Sequence, residues 1–485
     1  MTDMSLPREI EDFLRQKQGQ TLLVKGRSGT GKTTFALSLL AELLQTQPKR
    51  FAPKNSVYVS SSVATSNLRD QFPWAFEQLP PENLLDATPS RPEPSEPSAR
   101  ESKSPRIIYS DEFGFVSALN DRMQSVTSGA LVIDSLDAVV QATGADLRRL
   151  GTALTNLGKN RDIQIILTTE GDQDSSLDHI VDGIVCLNKT LEEGRIWRSI
   201  RIDKLRGIRI SKGYHGFTLC SNQFQVLQPY DVEQAYRVST FKTVPHSAGR
   251  YSSGIQELDD IFGGFRRGST LFIDVGEGVA NELVNTLVLN MVANFLLQDM
   301  GVVMVPPNKL SYRRLKAAAL RYGFVDQLNS RLRLFASAAS SLAATGTGAE
   351  LGEPYYKTVA FRESTDLENA WSMVLEELRG KDCKALLSII GFGWLHSWLG
   401  PADLPRWATR LANDTATESN FAVAIGYSST ADINRFLADL ADVHMVLTVN
   451  AGVTILRGVN PATAQYCIYT HPVEGKAQIG FQEIA

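Results

Sequence analysis

At 485 residues the chain is too long for one ordinary hydrophobic core, so two domains are expected. Its 43% hydrophobic and 21% charged residues exclude a mainly disordered protein, and the net charge of −4 excludes bulk attraction to nucleic acid or anionic membrane. No zinc or redox spacing occurs among Cys186, Cys220, Cys383 and Cys467, and no signal region or long apolar run is present, so a cytoplasmic protein without a membrane partner is expected.

The first elements alternate between strand and helix. Residues 21–24 are a short apolar run that leads into a glycine-rich turn, and residues 34–44 have the composition and spacing of a helix. A second strand is predicted near residues 56–60. The Pro, Ser and Glu-rich residues 79–105 then predict a flexible insertion, because this composition buries too little apolar surface to offset chain entropy.

Three more apolar runs, at residues 130–133, 163–167 and 183–186, predict strands separated by helical segments such as 146–157. This alternation favours a mostly parallel sheet flanked by helices. Later runs at 196–202, 214–219 and 223–227 predict an antiparallel extension. The sequence therefore indicates a first domain over 1–228, a linker over 229–248 and a second domain over 249–485.

The second half repeats the pattern of the first. Residues 269–274 resemble the first strand, residues 275–280 stand where the glycine-rich turn stood, and residues 283–297 are again helical in pattern. A strand predicted at 384–390 lies at the spacing that separates the first strand from the one at 130–133. Duplication explains this similarity most simply.

The glycine-rich turn has the pattern GxxxxGK[ST], a P-loop, in which each residue type has a function. The glycines let the backbone wrap around phosphates, the lysine adds positive charge, and the following hydroxyl is a ligand for Mg²⁺. The preceding strand and following helix argue against a chance glycine turn. ATP with Mg²⁺ is the predicted ligand of residues Gly26, Arg27, Ser28, Gly29, Thr30, Gly31, Lys32, Thr33 and Thr34, with Lys32 also assigned a catalytic role.

An acid at the end of the strand 130–133 supplies the second part of the metal site. Asp134 is predicted to hold the Mg²⁺ shell together with Thr33, and it is the second residue assigned a catalytic role. The alternative is that Asp134 only caps a helix or a turn. Asp137 is assigned no role.

From these residues the chain resembles the KaiC branch of the RecA-like ATPases. The resemblance depends on Gly129, residues 133–135, 167–170, 181–186, 201–207 and 214–217, which occur in the family's order, and on residues 250–269, which resemble the opening of a second KaiC-type domain. The resemblance implies an α/β fold of two tandem RecA-like domains. Residues 6–14 and 22–26 further resemble archaeal proteins grouped with the gas-vesicle regulator GvpD.

The resemblance also implies roles that the residues alone do not fix. Lys204 and Arg206 are candidates for contacts with the γ-phosphate of a neighbouring subunit, as arginine fingers make them, although a solvated basic turn has the same sequence. Thr168 and Thr169 are candidate phosphate sensors, or simply hydrogen-bonded hydroxyls at a strand end. A homo-oligomer or a protein partner is therefore expected.

Two departures from the family pattern limit the chemistry. Ser62 and Val63 occupy positions where the family carries two glutamates that orient the attacking water, so hydrolysis is expected to be slow unless Glu112 or Glu170 lies near the γ-phosphate. In the second domain the P-loop is degenerate: the counterpart of Asp134 falls among residues 388–391, and the counterparts of the P-loop glycines, lysine and threonine are Val275, Ala280, Asn281 and Glu282.

The predicted function is an ATP-binding regulatory or scaffold protein with slow Mg²⁺-dependent hydrolysis at most, in which the second domain is a pseudo-ATPase. One alternative is a DNA-directed ATPase related to recombinases, for which Arg206, Arg209 and Lys212 form a small basic cluster but the net charge is unfavourable. A phosphotransferase is the other alternative. It too requires a base, and none is evident.

Overall fold

A computed structural model describes residues 6–77, 79–89, 104–159, 161–192, 194–235, 241–337, 357–361, 364–381, 383–400, 402–473 and 476–485. The chain divides into two compact units, Met1–Leu227 with Ile484–Ala485, and Gln228–Glu483. None of the helices in these ranges is both long and apolar enough to span a bilayer.

The first unit is built on a nine-stranded sheet with the order β3-β2-β4-β5-β1-β6-β7-β8-β9. Strands β3 to β6 in this order run parallel, and β7, β8 and β9 extend the sheet antiparallel. The strands are β1 (Thr21–Gly26), β2 (Val57–Ser60), β3 (Leu84–Asp86), β4 (Ser128–Asp134), β5 (Asp162–Glu170), β6 (Gly183–Glu192), β7 (Arg195–Leu205), β8 (Tyr214–Thr218) and β9 (Gln225–Val226).

Helices cover both faces of this sheet. They are α1 (Arg8–Leu14), α2 (Lys32–Thr46), α3 (Thr65–Gln71), α4 (Pro73–Phe76), α5 (Glu112–Met123), α6 (Leu136–Thr143) and α7 (Leu147–Lys159). Strand β1 is buried along its whole length because alternate side chains enter two different cores. Leu22 packs with Phe35 of α2 on one face, and Leu23 packs with Leu154 of α7 on the other. This two-sided burial explains the continuous apolar run at the start of the sequence.

The second unit contains a ten-stranded sheet with the order β15-β14-β13-β16-β17-β12-β18-β19-β20-β21, and a separate pair β10-β11. The strands are β10 (Arg250–Tyr251), β11 (Phe265–Arg266), β12 (Ser269–Val275), β13 (Gly301–Val305), β14 (Leu332–Ser337), β15 (Lys357–Phe361), β16 (Leu386–Gly391), β17 (Phe421–Tyr427), β18 (Val443–Asn450), β19 (Val453–Asn460), β20 (Gln465–Val473) and β21 (Lys476–Ile484).

The helices of the second unit are α8 (Val232–Ala235), α9 (Gln256–Phe262), α10 (Asn281–Leu296), α11 (Tyr312–Tyr322), α12 (Val325–Arg331), α13 (Ser364–Arg379), α14 (Phe392–Trp398), α15 (Asp403–Thr417) and α16 (Ala431–Leu440). The order β13-β16-β17-β12-β18-β19 repeats β2-β4-β5-β1-β6-β7 of the first unit. This repetition confirms the predicted fold class of two tandem, mostly parallel α/β domains.

The structure describes parts of both predicted connecting segments. Within the expected insertion 79–105, Leu84–Asp86 form the edge strand β3, whose buried leucines pack in the sheet beside β2. The remainder of that segment from 90 to 103 lies outside the described residues. Within the expected linker 229–248, the backbone of Val244 exchanges hydrogen bonds with the Asn294 side chain of α10, so this stretch is docked on the second unit.

Candidate nucleotide-binding site

The P-loop spans the turn from the carboxyl end of β1 to the first residue of α2. Gly29 and Gly31 have φ angles of 75° and 100°, the left-handed region that favours glycine. A Cβ on Gly26 would lie 2.6 Å from Thr30 Oγ1 and 2.8 Å from Leu187 O, so no larger residue fits there. The sequence therefore folds this turn close to β6, at the amino end of a 15-residue helix whose free N–H groups favour an anion.

The remaining predicted residues of the loop differ in exposure. Arg27 and Ser28 are exposed at its tip, whereas Thr30 is buried and its hydroxyl donates to Arg27 O at 2.9 Å. Thr34 is buried on α2. The exposed tip leaves Arg27 and Ser28 accessible to a ligand, while Thr30 holds the loop in shape.

Lys32 and Thr33 face the interior of the turn. Lys32 Nζ donates to Gly26 O at 2.7 Å and to Arg27 O at 3.2 Å, so the ammonium group lies within the concave side of the loop. Thr33 Oγ1 donates to Asp134 Oδ2 at 2.7 Å. The two residues that the sequence assigned to the metal are thus in contact, although 101 residues separate them along the chain.

Asp134 is the centre of a buried network of hydroxyl groups. It is 5% exposed at the end of β4 and accepts hydrogen bonds from Tyr58 OH at 2.8 Å and from Thr168 Oγ1 at 2.6 Å, in addition to Thr33. Burial, followed by the neighbouring carboxylate, raises the pKa of Tyr58 well above 10.0, so Tyr58 stays a hydrogen-bond donor. Three hydroxyl groups thus donate hydrogen bonds to this one carboxylate.

The donor set fits Mg²⁺. Mg²⁺ prefers oxygen ligands and is usually held by one or two protein groups plus water and substrate phosphates. The Thr33 hydroxyl and the Asp134 carboxylate are such groups, at the mouth of the P-loop. The described ranges contain no cluster of three or more His, Cys, Asp or Glu side chains suited to a metal.

The two candidate sensors at the end of β5 occupy different environments. Thr168 is fully buried and contacts Asp134, whereas Thr169 points to the opposite side of the strand and lies opposite Lys25 in the register. Lys25 in turn forms a buried ion pair with Asp178 at 2.6 Å. The structure brings Thr168 into the site and leaves Thr169 outside it.

The residues at the glutamate positions lie beside Asp134. Ser61 N donates to Asp134 O at 2.8 Å, and Ser61 Oγ donates to Ser135 O at 2.5 Å. Ser60 Oγ closes the following turn by donating to Val63 O at 2.6 Å. Ser62 and Val63 follow directly in this turn, where both are exposed and neither carries a carboxylate.

A different carboxylate, Asp137, lies near the P-loop lysine. Asp137 is in the first turn of α6, accepts a hydrogen bond from Glu170 N at 2.7 Å and lies within electrostatic range of Lys32. Burial is the main cause that raises the pKa of Asp137, and the Glu170 charge adds to it. Glu170 itself is exposed, and Glu112 begins α5 without any hydrogen bond or ion pair to the P-loop among the described residues. The sequence analysis assigned Asp137 no role. It lies three residues after Asp134, which ends β4, and one residue into α6.

Comparison with known proteins identifies this arrangement. Residues 10–230 match the family model "ATPase: KaiC", and residues 240–352 match the model "GvpD basic region 2". The first unit is therefore similar to the KaiC ATPase domain over almost its whole length. Two similar proteins of Halobacterium salinarum, GvpD1 and GvpD2, are each 31% identical over 62% of this chain, and the matches span 56% and 61% of their own lengths. The circadian clock protein KaiC3 of Synechocystis is 25% identical over 55% of this chain and 52% of its own length.

The candidate trans residues of the KaiC-type domain lie at the edge opposite the P-loop. Leu205 pairs with Gly183, which pairs in turn with Leu22 at the start of β1. Four residue steps along β1, about 13 Å, separate Leu22 from Gly26. Within one chain, Lys204 Nζ donates to Asp178 O and Val181 O at 2.7 Å, and Arg206 pairs with Asp182 at 2.9 Å. Burial, the largest cause, lowers the pKa of Lys204. Neither side chain reaches the P-loop of its own chain.

The corresponding turn of the second unit has different chemistry. Val275 ends β12 as a buried residue, and α10 begins with Asn281 and Glu282 where the KaiC-type domain has Lys32 and Thr33. Glu282 Oε1 forms an ion pair with Arg314 Nη1 of α11 at 3.3 Å. Strand register places Gly391 at the position of Asp134, and a Cβ on this glycine would lie 2.3 Å from Pro306 O. There is no room for a metal-binding side chain at that position.

Proposed function

We propose that this chain is a nucleotide-dependent regulatory protein that binds one ATP with Mg²⁺ in its first unit. The observation that carries the proposal is the hydrogen bond from Thr33 to Asp134 at 2.7 Å, beside a P-loop that holds Lys32 within its concave side. This contact brings both metal ligands to the place where the β- and γ-phosphates of a nucleotide would meet Lys32. When bound, Mg²⁺ supplies charge neutralisation of the phosphate oxygens.

The second unit is proposed to bind no nucleotide. Glu282 places a carboxylate where the hydroxyl ligand should be, and Arg314 neutralises that carboxylate within the unit itself. A triphosphate entering this turn would have to displace Arg314 and would gain no lysine in return. The unit keeps its hydrophobic core, with residues such as Leu287 of α10 and Ile273 of β12 fully buried, and serves as a scaffold.

Hydrolysis at the first site is proposed to be slow. Ser62 and Val63 provide no group that can accept a proton from water, and a positioned general base contributes about 10²–10⁴-fold to a rate. Lys32 and the bound metal still stabilise developing charge, so a residual rate is expected. Asp137 is the nearest alternative acid, since it faces Lys32, but its raised pKa reflects partial burial and its carboxylate already accepts a hydrogen bond from Glu170 N.

A regulatory role follows from slow turnover. A switch requires only that the γ-phosphate makes contacts that ADP lacks, so that the two nucleotides favour different states. Lys204 and Arg206, at the edge opposite the P-loop, supply such contacts only if a second copy stacks head to tail on the first. We therefore include in the proposal a homo-oligomer in which ATP is bound between copies.

Isothermal titration calorimetry with Mg·ATP, Mg·ADP and ATP in EDTA tests the proposal, together with light scattering of the same samples. We expect one site per chain, and an assembly that grows with ATP. The double variant Lys204→Ala/Arg206→Ala should keep ATP binding in the isolated chain but lose the ATP-dependent assembly. Arg209→Ala/Lys212→Ala, which also removes two positive charges, is the control. The absence of ATP binding, or two sites per chain, would contradict the proposal.

A further inference from the structure

A second lysine approaches the P-loop from a strand that the nucleotide motif does not include. Strand β6 continues beyond its pairing with β1, which ends at Cys186, and runs alongside the loop as one arm of a hairpin with β7. Lys189 lies on this exposed arm, and its Nζ is 3.5 Å from the position that a Cβ on Gly29 would occupy. In the part of the chain that the structure describes, the Lys189 ammonium group has no hydrogen bond or ion pair. Its charge is available to a ligand of the loop.

The surroundings of Lys189 are unfavourable to a cation in the absence of an anion. Lys189 is paired across the hairpin with Arg198, and like charges directly opposite each other destabilise a pair of strands. The loop itself contributes a further cation, Lys32. A nucleotide with several negative charges would convert this repulsion into attraction, because each cation would then lie near phosphate oxygens.

The second unit provides an internal comparison for this position. Strand register aligns β12 with β1 and β18 with β6, which makes Val449 the counterpart of Lys189 and Gly278 the counterpart of Gly29. In both units a side chain of this strand lies beside the loop: a Cβ on Gly278 would lie 3.7 Å from Val449 Cβ. The approach of this strand to the loop is therefore a property of the fold. The lysine occurs in the unit with Lys32 and Asp134, and the unit that lacks both has valine.

We propose that Lys189 is a second phosphate-binding lysine of the first unit, supplied by the β6–β7 hairpin. The inference rests on the proposed function, because it names a further contact to the nucleotide of that site. The ammonium group would act as a donor of charge-assisted hydrogen bonds to phosphate oxygens at the exposed tip of the loop, on the side opposite α2. Sequence motifs do not reveal it, because 157 residues separate it from Lys32 and only the strand register brings the two together.

The decisive variant is Lys189→Val, which installs the residue of the second unit. One charge-assisted contact to a partly exposed phosphate is worth about 1.5 kcal/mol, so Mg·ATP affinity should fall about tenfold in calorimetry. Lys189→Arg should retain most of the affinity. Lys54→Val, which removes an exposed lysine from the short 3₁₀ helix before β2, is the control for bulk charge and should bind as the unmodified protein does. Without nucleotide, Lys189→Arg and Lys54→Val should melt as the unmodified protein does, and Lys189→Val should melt at the same or a higher temperature, because it removes the repulsion by Arg198.

Unchanged affinity of Lys189→Val, or a loss no larger than that of Lys54→Val, would overturn the inference. The Lys32→Ala variant separates this result from failure of the proposed function. If Lys32→Ala abolishes binding and Lys189→Val has no effect, the nucleotide site stands and Lys189 has no part in it. If neither substitution changes binding, the assignment of the P-loop as the nucleotide site fails as well.

Discussion

The charge of Asp134 is expected to have opposite effects on ATP affinity with and without Mg²⁺. The substitution Asp134→Asn preserves size and removes one negative charge from a position that is 5% exposed. At about 6 Å, the span of one intervening water, and an effective dielectric constant of about 20, a pair of unit charges interacts by roughly 3 kcal/mol. The carboxylate therefore attracts Mg²⁺ strongly and repels a metal-free triphosphate by a comparable amount.

The expected result is a crossing of affinities. In excess Mg²⁺, Asp134→Asn should bind ATP at least tenfold more weakly than the unmodified protein, because 1.4 kcal/mol of lost attraction is sufficient for that factor. In EDTA, the same variant should bind ATP several-fold more tightly, because the buried negative charge no longer opposes the phosphates. Calorimetric titration under both conditions gives the two ratios directly.

A matched control separates charge from packing. Tyr58→Phe removes one of the three hydroxyl donors to Asp134 and leaves the carboxylate in place. It should lower the free energy of unfolding by about 1–2 kcal/mol, since a hydrogen bond to a charged group is lost, while ATP binding still requires Mg²⁺ as before. If Asp134→Asn weakens ATP binding equally in Mg²⁺ and in EDTA, Asp134 has a structural role only and the metal assignment is refuted.

Four further predictions follow from the same geometry. Lys32→Ala should abolish ATP binding in a fluorescent-nucleotide titration, because two charge-assisted contacts of about 1.5–3 kcal/mol each are lost, and an unchanged affinity would remove the P-loop assignment. Glu282→Ala should leave the stoichiometry at one ATP per chain, because Asn281 and Gly391 still provide neither lysine nor metal ligand; a second site in calorimetry would contradict this. Ser62→Glu with Val63→Glu should increase phosphate release without tightening ATP binding, whereas turnover of about 1 s⁻¹ in the unmodified protein would mean that another base already acts. Burial, and secondly the charge of Arg267, lowers the pKa of His246 from 6.5 to about 4. The folded protein therefore loses stability as the pH falls from 6.5 through 4, and the loss is about 1 kcal/mol at pH 5 after allowance for partial exposure. Tryptophan-monitored melting should show a smaller loss in His246→Gln.

The sequence was sufficient for the parts of the site that are local. The P-loop is recognisable from eight consecutive residues, and Asp134 is recognisable because it is an acid at the end of an apolar strand. The tandem fold was also predictable, since the alternation of apolar runs and helical segments occurs twice. In both cases the pattern that carries the information is contiguous in the chain.

The remaining features depend on register between distant strands. Asp137 lies within electrostatic range of Lys32 because α6 begins at the edge of the sheet where the P-loop lies. The strand at Leu84–Asp86 was missed because two leucines within a proline-rich segment do not form a recognisable alternation of apolar and polar residues. Pairing with β2 nevertheless buries both leucines. The pairing of Glu282 with Arg314 joins two helices and has no sequence signal.

The two units of this chain differ at a set of positions that share one property. Lys32, Asp134 and Lys189 all carry charge toward the same turn, and their counterparts Asn281, Gly391 and Val449 carry none. Drift at a turn that binds nothing removes such charges one by one, while the fully buried cores of both sheets persist because folding requires them. Where no anion is bound, however, an unpaired cation also costs stability, because like charges on a loop and an adjacent hairpin repel. If the second unit binds no nucleotide, as proposed, this repulsion disfavours lysine at the positions of Asn281 and Val449 together. By the same reasoning, the survival of Lys189 opposite Arg198 in the first unit is itself an argument that an anion still occupies the turn beside it.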